Sequence, residues 1–136
     1  MQKNESMKRK LLIVLIVLAG ILAAGLLILY LGIGFGVKQN IRLAQQKYPG
    51  KAEDALIAYM MDESISPEGR THEAIWTLGQ IRSKKALPFL MELYRDDQEG
   101  KTCYGKHEEF LCQYEIHKAT VAIEKGSLFS YARLNK

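Results

Sequence analysis

Four side chains in the C-terminal third of the chain have the types that bind metal or form covalent links. They are Cys103, His107, Cys112 and His117, with three, four and four residues between them. Thiolate and imidazole together suit tetrahedral zinc. Read as one helix, however, positions 112 and 117 project about 140° apart at 3.6 residues per turn, so Cys112 and His117 diverge rather than share an ion. Cys112 projects instead with Leu111, Ile116, Ala119 and Ala122, toward a core. A Cys103–Cys112 disulfide is the stronger reading if the domain is exported, because disulfides persist in oxidising compartments. It would pin a long loop to the last long helix and stiffen a domain with little core. The other reading is a buried free Cys112 and an idle Cys103.

Other chemistry has less to work with. The sequence has no Ser-His-Asp spacing, no glycine-rich phosphate loop and no HExxH. Asp96-Asp97 and Glu108-Glu109 are acidic pairs, but each lies at a loop or helix start, where acids favour the helix dipole. His107 stands in a polar loop and reads as a solvated side chain. The expectation is a protein with no catalytic residues, cofactor or metal, and with no small-molecule substrate.

The elements that position these residues begin with an anchor. From Leu11 to Leu31 there is no charged residue, and the hydroxyl of Tyr30 is the only polar side-chain group. At about 1.5 Å per residue these positions cover about 31 Å, the depth of a hydrocarbon core. Tyr30 stands at the far edge, where a tyrosine keeps its ring in the interface and its hydroxyl in water. Gly32, Gly34 and Gly36 follow, a run of poor helix propensity that reads as a fraying end or hinge. A secretory signal peptide is the competing reading, with Lys8-Arg9-Lys10 as its basic segment and Ala23-Ala24-Gly25 as a cleavage site. Its apolar region would be shorter, and here Leu26-Leu27-Ile28-Leu29 continues past that site. The spacings Gly20/Ala24 and Gly32/Gly36 fit close helix packing but are common by chance in apolar runs.

Charge orients the anchor. Lys3, Lys8, Arg9 and Lys10 precede it, and Lys38, Arg42, Lys47 and Lys51 follow. The counts tie, but three of the first four abut the hydrophobic edge, where the bias acts most strongly. The expected topology has a cytoplasmic N-terminus and an extracytoplasmic C-terminal domain. From residue 37 onward, 15 basic residues face 14 acidic ones, so no clustered basic footprint for nucleic acid is expected.

Residues 1–10 thus read as a basic tail, 11–36 as the transmembrane helix, 37–50 as a juxtamembrane helix or linker, and 51–136 as a helical domain. No stretch of that domain alternates with a period of two. Helices are expected at Ala52–Met61, from Pro67 to about Arg82, from Ser83 or Lys84 to about Arg95, and over about Glu108–Lys125. Ser66 caps the second of these, with Pro67 in the first turn. Gly126 ends the last, and Ser127-Leu128 opens a short final one.

Thr71–Leu78 aligns with Ile116–Ile123 at an offset of 45 residues, a spacing found in two-helix solenoid repeats. Arg70, Ala74, Leu78, Gly79 and Ile81, followed by Ala86, Leu87, Pro88, Leu90, Leu93 and Asp96, resemble the HEAT-repeat family in its short, phycobilisome-lyase-type form. The second repeat departs from the pattern, with Glu124 where the glycine would stand and a long loop between its helices. The resemblance implies an all-α fold: a transmembrane helix, then a small two-repeat HEAT-like α-solenoid that binds other proteins. It does not carry over lyase activity. Helical projection puts Ala74, Ile75, Leu78 and Ile81 in the core. It puts His72 and Trp76 on the opposite side, and the solenoid resemblance implies that His72, Trp76 and His117 line a concave protein-binding surface. Packing of Trp76 under the juxtamembrane helix or the C-terminal segment is the alternative. Two repeats are fewer than a solenoid normally needs, so end caps from residues 37–50 and 127–134, or a partner, must cover their faces. The expected function is a membrane-anchored interaction module, an adaptor or accessory subunit whose partner is a membrane-associated protein. A thiol-redox or metal-binding envelope protein using Cys103 and Cys112 is the alternative.

Overall fold

The apolar run belongs to one long helix, α1 (Gln2–Lys47). A computed structural model of the chain describes residues 2–97, 101–103, 109–126 and 131–135. The chain divides into two compact units, residues 1–34 and 35–136. In the first unit, every residue from Ser6 to Gly32 is exposed, aliphatic side chains included. The helix is long and apolar enough to cross a membrane. Gly32, Gly34 and Gly36 do not end it, because helical structure continues through them to Lys47.

The second unit contains the last part of α1. Val37, Ile41 and Ala44, spaced four and three apart, form its buried stripe. Next comes α2 (Ala52–Met61), at the expected bounds. It buries Ala52, Ala55, Leu56, Ile57, Tyr59 and Met60, nearly all round, as suits a central helix. Its first turn carries Glu53 and Asp54, acids at the positive end of the dipole. Arg70 serves its other end: the guanidinium Nε donates 2.6 Å to the carbonyl oxygen of Met60.

The stretch expected as one helix from Pro67 has three parts: α3 (Pro67–Gly69), a π-helical stretch (Arg70–Ile75) and α4 (Trp76–Gln80). Ser66 caps its start, its Oγ accepting from the Gly69 amide at 3.2 Å, with Pro67 in the first turn. In the π stretch the Trp76 amide donates to the Thr71 carbonyl, five residues back. Ala74, Ile75, Leu78 and Ile81 are fully buried, the core that projection predicts. A short 3-10 turn (Lys84–Ala86) leads into α5 (Leu87–Leu93). Ser83 Oγ donates 2.8 Å to Glu53 and Lys85 pairs with Asp54, so the start of α2 holds this turn.

The last long helix is α6 (Gln113–Lys125), which begins later than the expected Glu108. Glu108 itself lies outside the described residues. Cys112 is consequently not helical but stands at the N-cap, with extended backbone. The helical projection that set Cys112 against His117 therefore does not apply, although Cys112 is still buried. Gly126 ends α6 at φ 93°, a conformation that favours glycine. The expected helix start at Ser127-Leu128 lies outside the described residues. Two further 3-10 turns occur, at Lys101–Cys103 and Ala132–Asn135. All regular elements among the described residues are helical.

Candidate functional site

Helices α4 and α6 meet at Gly79 and Ala119. A Cβ added to Gly79 would lie 3.0 Å from the Cα of Ala119, tighter than most real side-chain contacts, so glycine lets the two helices approach this closely without a shift of α6. Beside the crossing lies an open groove of about 720 Å³. Trp76 and Gln80 of α4 form one wall; Tyr114, His117, Lys118 and Val121 of α6 form the other, with Gly126 at its end. Trp76 is half-buried. The tip of its ring packs on α1, since a Cβ added to Gly36 would lie 3.7 Å from Cη2. The indole is thus both a groove wall and a packing contact.

His117 connects two cavities. On its other side, a smaller one of about 260 Å³ is lined by Met91, Tyr94, His117, Thr120, Val121, Glu124 and Lys125. The Tyr94 and His117 rings stack at 6.1 Å between centroids and 27° between planes. Lys118 lies across the Tyr114 ring at 5.0 Å and pairs with Glu115 at 2.8 Å, which fixes the polar rim of the large groove. The wall therefore combines apolar surface, two aromatic rings, a histidine and a tethered ion pair.

Of the three residues predicted for binding, the structure brings Trp76 and His117 to one groove. His72 is exposed on the π stretch and is not among the groove's lining residues. Its backbone carbonyl accepts from Asn40 Nδ2 at 3.4 Å, and the same amide donates 3.0 Å to Thr77 Oγ1. The groove residues Tyr114, Lys118 and Val121 were not singled out in the sequence. Their spacing of four and three on one helix face is the signal that could have found them.

The cysteines lie elsewhere. Cys103 and Cys112 are joined as a disulfide, with Cα atoms 4.9 Å apart and both residues buried. The Cys112 amide donates 3.3 Å to the hydroxyl of Thr71. His107 lies outside the described residues. Among the described residues, no three His, Cys, Asp or Glu side chains gather to hold a metal. Of the acidic pairs, Asp97 accepts from the Lys101 amide at 3.2 Å and Glu109 is exposed.

A further polar cluster joins the end of α1 to α2 and the π stretch. Lys47 pairs with Asp62 at 2.7 Å, the Tyr48 hydroxyl donates to Asp62, and the Tyr59 hydroxyl donates to Glu73. Lys47, with help from Tyr48 and Ser64, holds the Asp62 carboxyl well below its ordinary range. Burial, then Glu73, pushes the Tyr59 phenol well above its ordinary value. These are clamp residues, and their partners come from helices distant in sequence.

No family model, curated protein or solved structure matches this chain.

Proposed function

We propose that the protein is a membrane-anchored, non-catalytic interaction module: α1 spans a bilayer through residues 11–36, and the helical unit binds another membrane-associated protein. In this reading the helical unit is a short HEAT-like stack. Support comes from the sequence pattern around Arg70–Asp96 and from the packing of α2 on the π stretch and α4, and of α6 on both α4 and α5. The observation that carries the function is the groove between α4 and α6, with Trp76 and His117 on opposite walls. A half-buried tryptophan beside a histidine and an exposed tyrosine supplies large contact area at low entropy cost.

The same reading puts the N-terminus in the cytoplasm and the helical unit outside it. Lys8, Arg9 and Lys10 at the hydrophobic edge support this. So does the Cys103–Cys112 pairing, which is expected to persist on the oxidising side of a membrane.

Substitution of the groove wall tests the binding role. His117→Asp with Val121→Arg is expected to reduce capture of a crosslinked partner from membranes at least tenfold, with little change in melting temperature. Unchanged capture would count against the groove. Trp76→Ala is the less clean probe, because it also removes the contact with Gly36.

The second reading, thiol redox through Cys103 and Cys112, draws on the fact that the two residues are paired. Exchange requires an attacking thiolate to reach a sulfur, and both cysteines are buried, which favours a structural bridge. A Cys→Ser pair separates the two: the redox reading requires complete loss of activity, whereas the interaction reading expects binding to survive in whatever fraction stays folded.

A further inference from the structure

We infer that Asn40 is a positioning residue for the groove: it holds the π stretch in its wide turn, and that turn sets Trp76 in the groove wall. This rests on the proposal that the groove binds a partner. Asn40, Trp76 and the groove all belong to the second unit.

In an α-helix the Trp76 amide would donate to the His72 carbonyl, four residues back. Here it donates to Thr71 instead, and the His72 carbonyl accepts from Asn40 Nδ2 at 3.4 Å. The same nitrogen donates 3.0 Å to Thr77 Oγ1. An amide nitrogen carries two hydrogens, so Asn40 can serve both acceptors at once. Thr77 is fully buried, where a lost partner is costly. Gly36 lies one turn before Asn40 on the same side of α1, and a Cβ there would lie 3.7 Å from Trp76 Cη2. This side of α1 therefore meets the Trp76 ring and grips the chain on both sides of it, at His72 and Thr77.

Both ends of the helical run are fixed. Arg70 is held on the Met60 carbonyl, Thr71 on the Cys112 amide, and Gly79 against Ala119 of α6. A π turn takes in one residue more than an α turn, and one residue turns a helix by about 100°. The stretch between the fixed ends must absorb that difference, and Asn40 settles where it is absorbed. Without Asn40 the slack falls on Trp76, and the ring leaves its setting opposite Tyr114 and His117. An asparagine that only added stability would lower the unfolding midpoint and leave the folded ring in place.

Trp76 is the chain's only tryptophan, so its fluorescence reports the ring directly. The test uses the full chain in lipid nanodiscs with Asn40→Leu, which keeps a similar size and donates nothing. Well below the unfolding midpoint, Trp76 emission is expected to move to longer wavelength, with stronger quenching by acrylamide. Amides of the π stretch are expected to exchange about tenfold faster, the equivalent of one lost hydrogen bond. Thr77→Val removes one acceptor, is expected to give a smaller change in the same direction, and carries the test if Asn40→Leu does not fold. Unchanged emission and quenching in the folded variants would overturn the positioning role, whatever the melting temperature does. Capture of the crosslinked partner is expected to fall with Asn40→Leu as it does with the His117 and Val121 pair. Capture lost in that pair but intact in an Asn40 variant with a moved ring would also overturn the role. A moved ring with capture intact in both would instead contradict the groove as the binding site.

Discussion

Two stretches of the same helix live by different rules. Between Leu11 and Leu31, α1 is apolar on every side and exposed on every side. Between Val37 and Ala44 polar and charged residues alternate with a stripe of Val37, Ile41 and Ala44, and only that stripe is buried, Leu43 being exposed. The first pattern has no direction and demands an apolar solvent all round; the second has a period near 3.6 and demands a protein surface on one side. What distinguishes them is the arrangement of apolar residues, since both are helical and neither is interrupted at the glycines between them.

The comparison can be broken in order of expected effect. Leu18→Arg with Leu22→Arg puts two charges at the centre of the apolar stretch, each costing about 2.5–3.5 kcal/mol on insertion. The membrane-integrated fraction is expected to fall to background in alkaline extraction, while Ile41→Arg leaves integration intact and unfolds the helical unit. Next, Ile41→Ala is expected to cost about 2–3 kcal/mol of the unit's stability, seen as a lowered unfolding midpoint. Leu18→Ala should leave that midpoint in place. Replacing both Cys103 and Cys112 by Ser is expected to cost a similar or slightly smaller amount, about 2–3 kcal/mol for so short a loop, with no effect on integration. Gly79→Ala forces α6 away at Ala119 and is expected to cost about 1–3 kcal/mol, with partner binding weakened because the groove changes shape.

The smallest effect depends on pH. Lys47 beside Asp62 lowers the folded carboxyl's pKa, so the unfolded chain takes up that proton at a higher pH. The stabilisation is complete above about pH 4 and is lost as the pH falls through the lower folded value. Tyr59 works at the other end, because its raised pKa gives stability that is complete below about pH 10 and fades above it. Asp62→Asn is expected to flatten the acid limb of a stability–pH curve, and Tyr59→Phe the alkaline limb.

Local rules account for much of the helical unit. The bounds of α2, the Ser66–Pro67 start, the buried face of Ala74, Ile75, Leu78 and Ile81, and the stop at Gly126 all follow from spacing, caps and glycine. Three features depended on residues far apart in sequence. Asn40, more than thirty residues away, serves the His72 carbonyl of the π stretch and the Thr77 hydroxyl at the start of α4. The late start of α6 goes with Cys112 being tied to Cys103 and to Thr71. The groove lies where α4 and α6 cross at Gly79, so helical projection could place Trp76 and His117 on faces but could not show that His72 lies apart from them.

Membrane tethering of a packed helical unit is tested most directly by an accessibility scan along α1. Single spin labels from Leu11 to Lys47, read in reconstituted bilayers, report exposure to oxygen dissolved in lipid and to a water-soluble relaxant. The expected profile is uniformly high oxygen and low relaxant exposure from residue 11 to 31. Beyond Gly36 the signal should turn periodic, with both reagents excluded at 37, 41 and 44 and the relaxant reaching 38 and 42. Uniform access of the water-soluble relaxant across 11–31 would contradict the account.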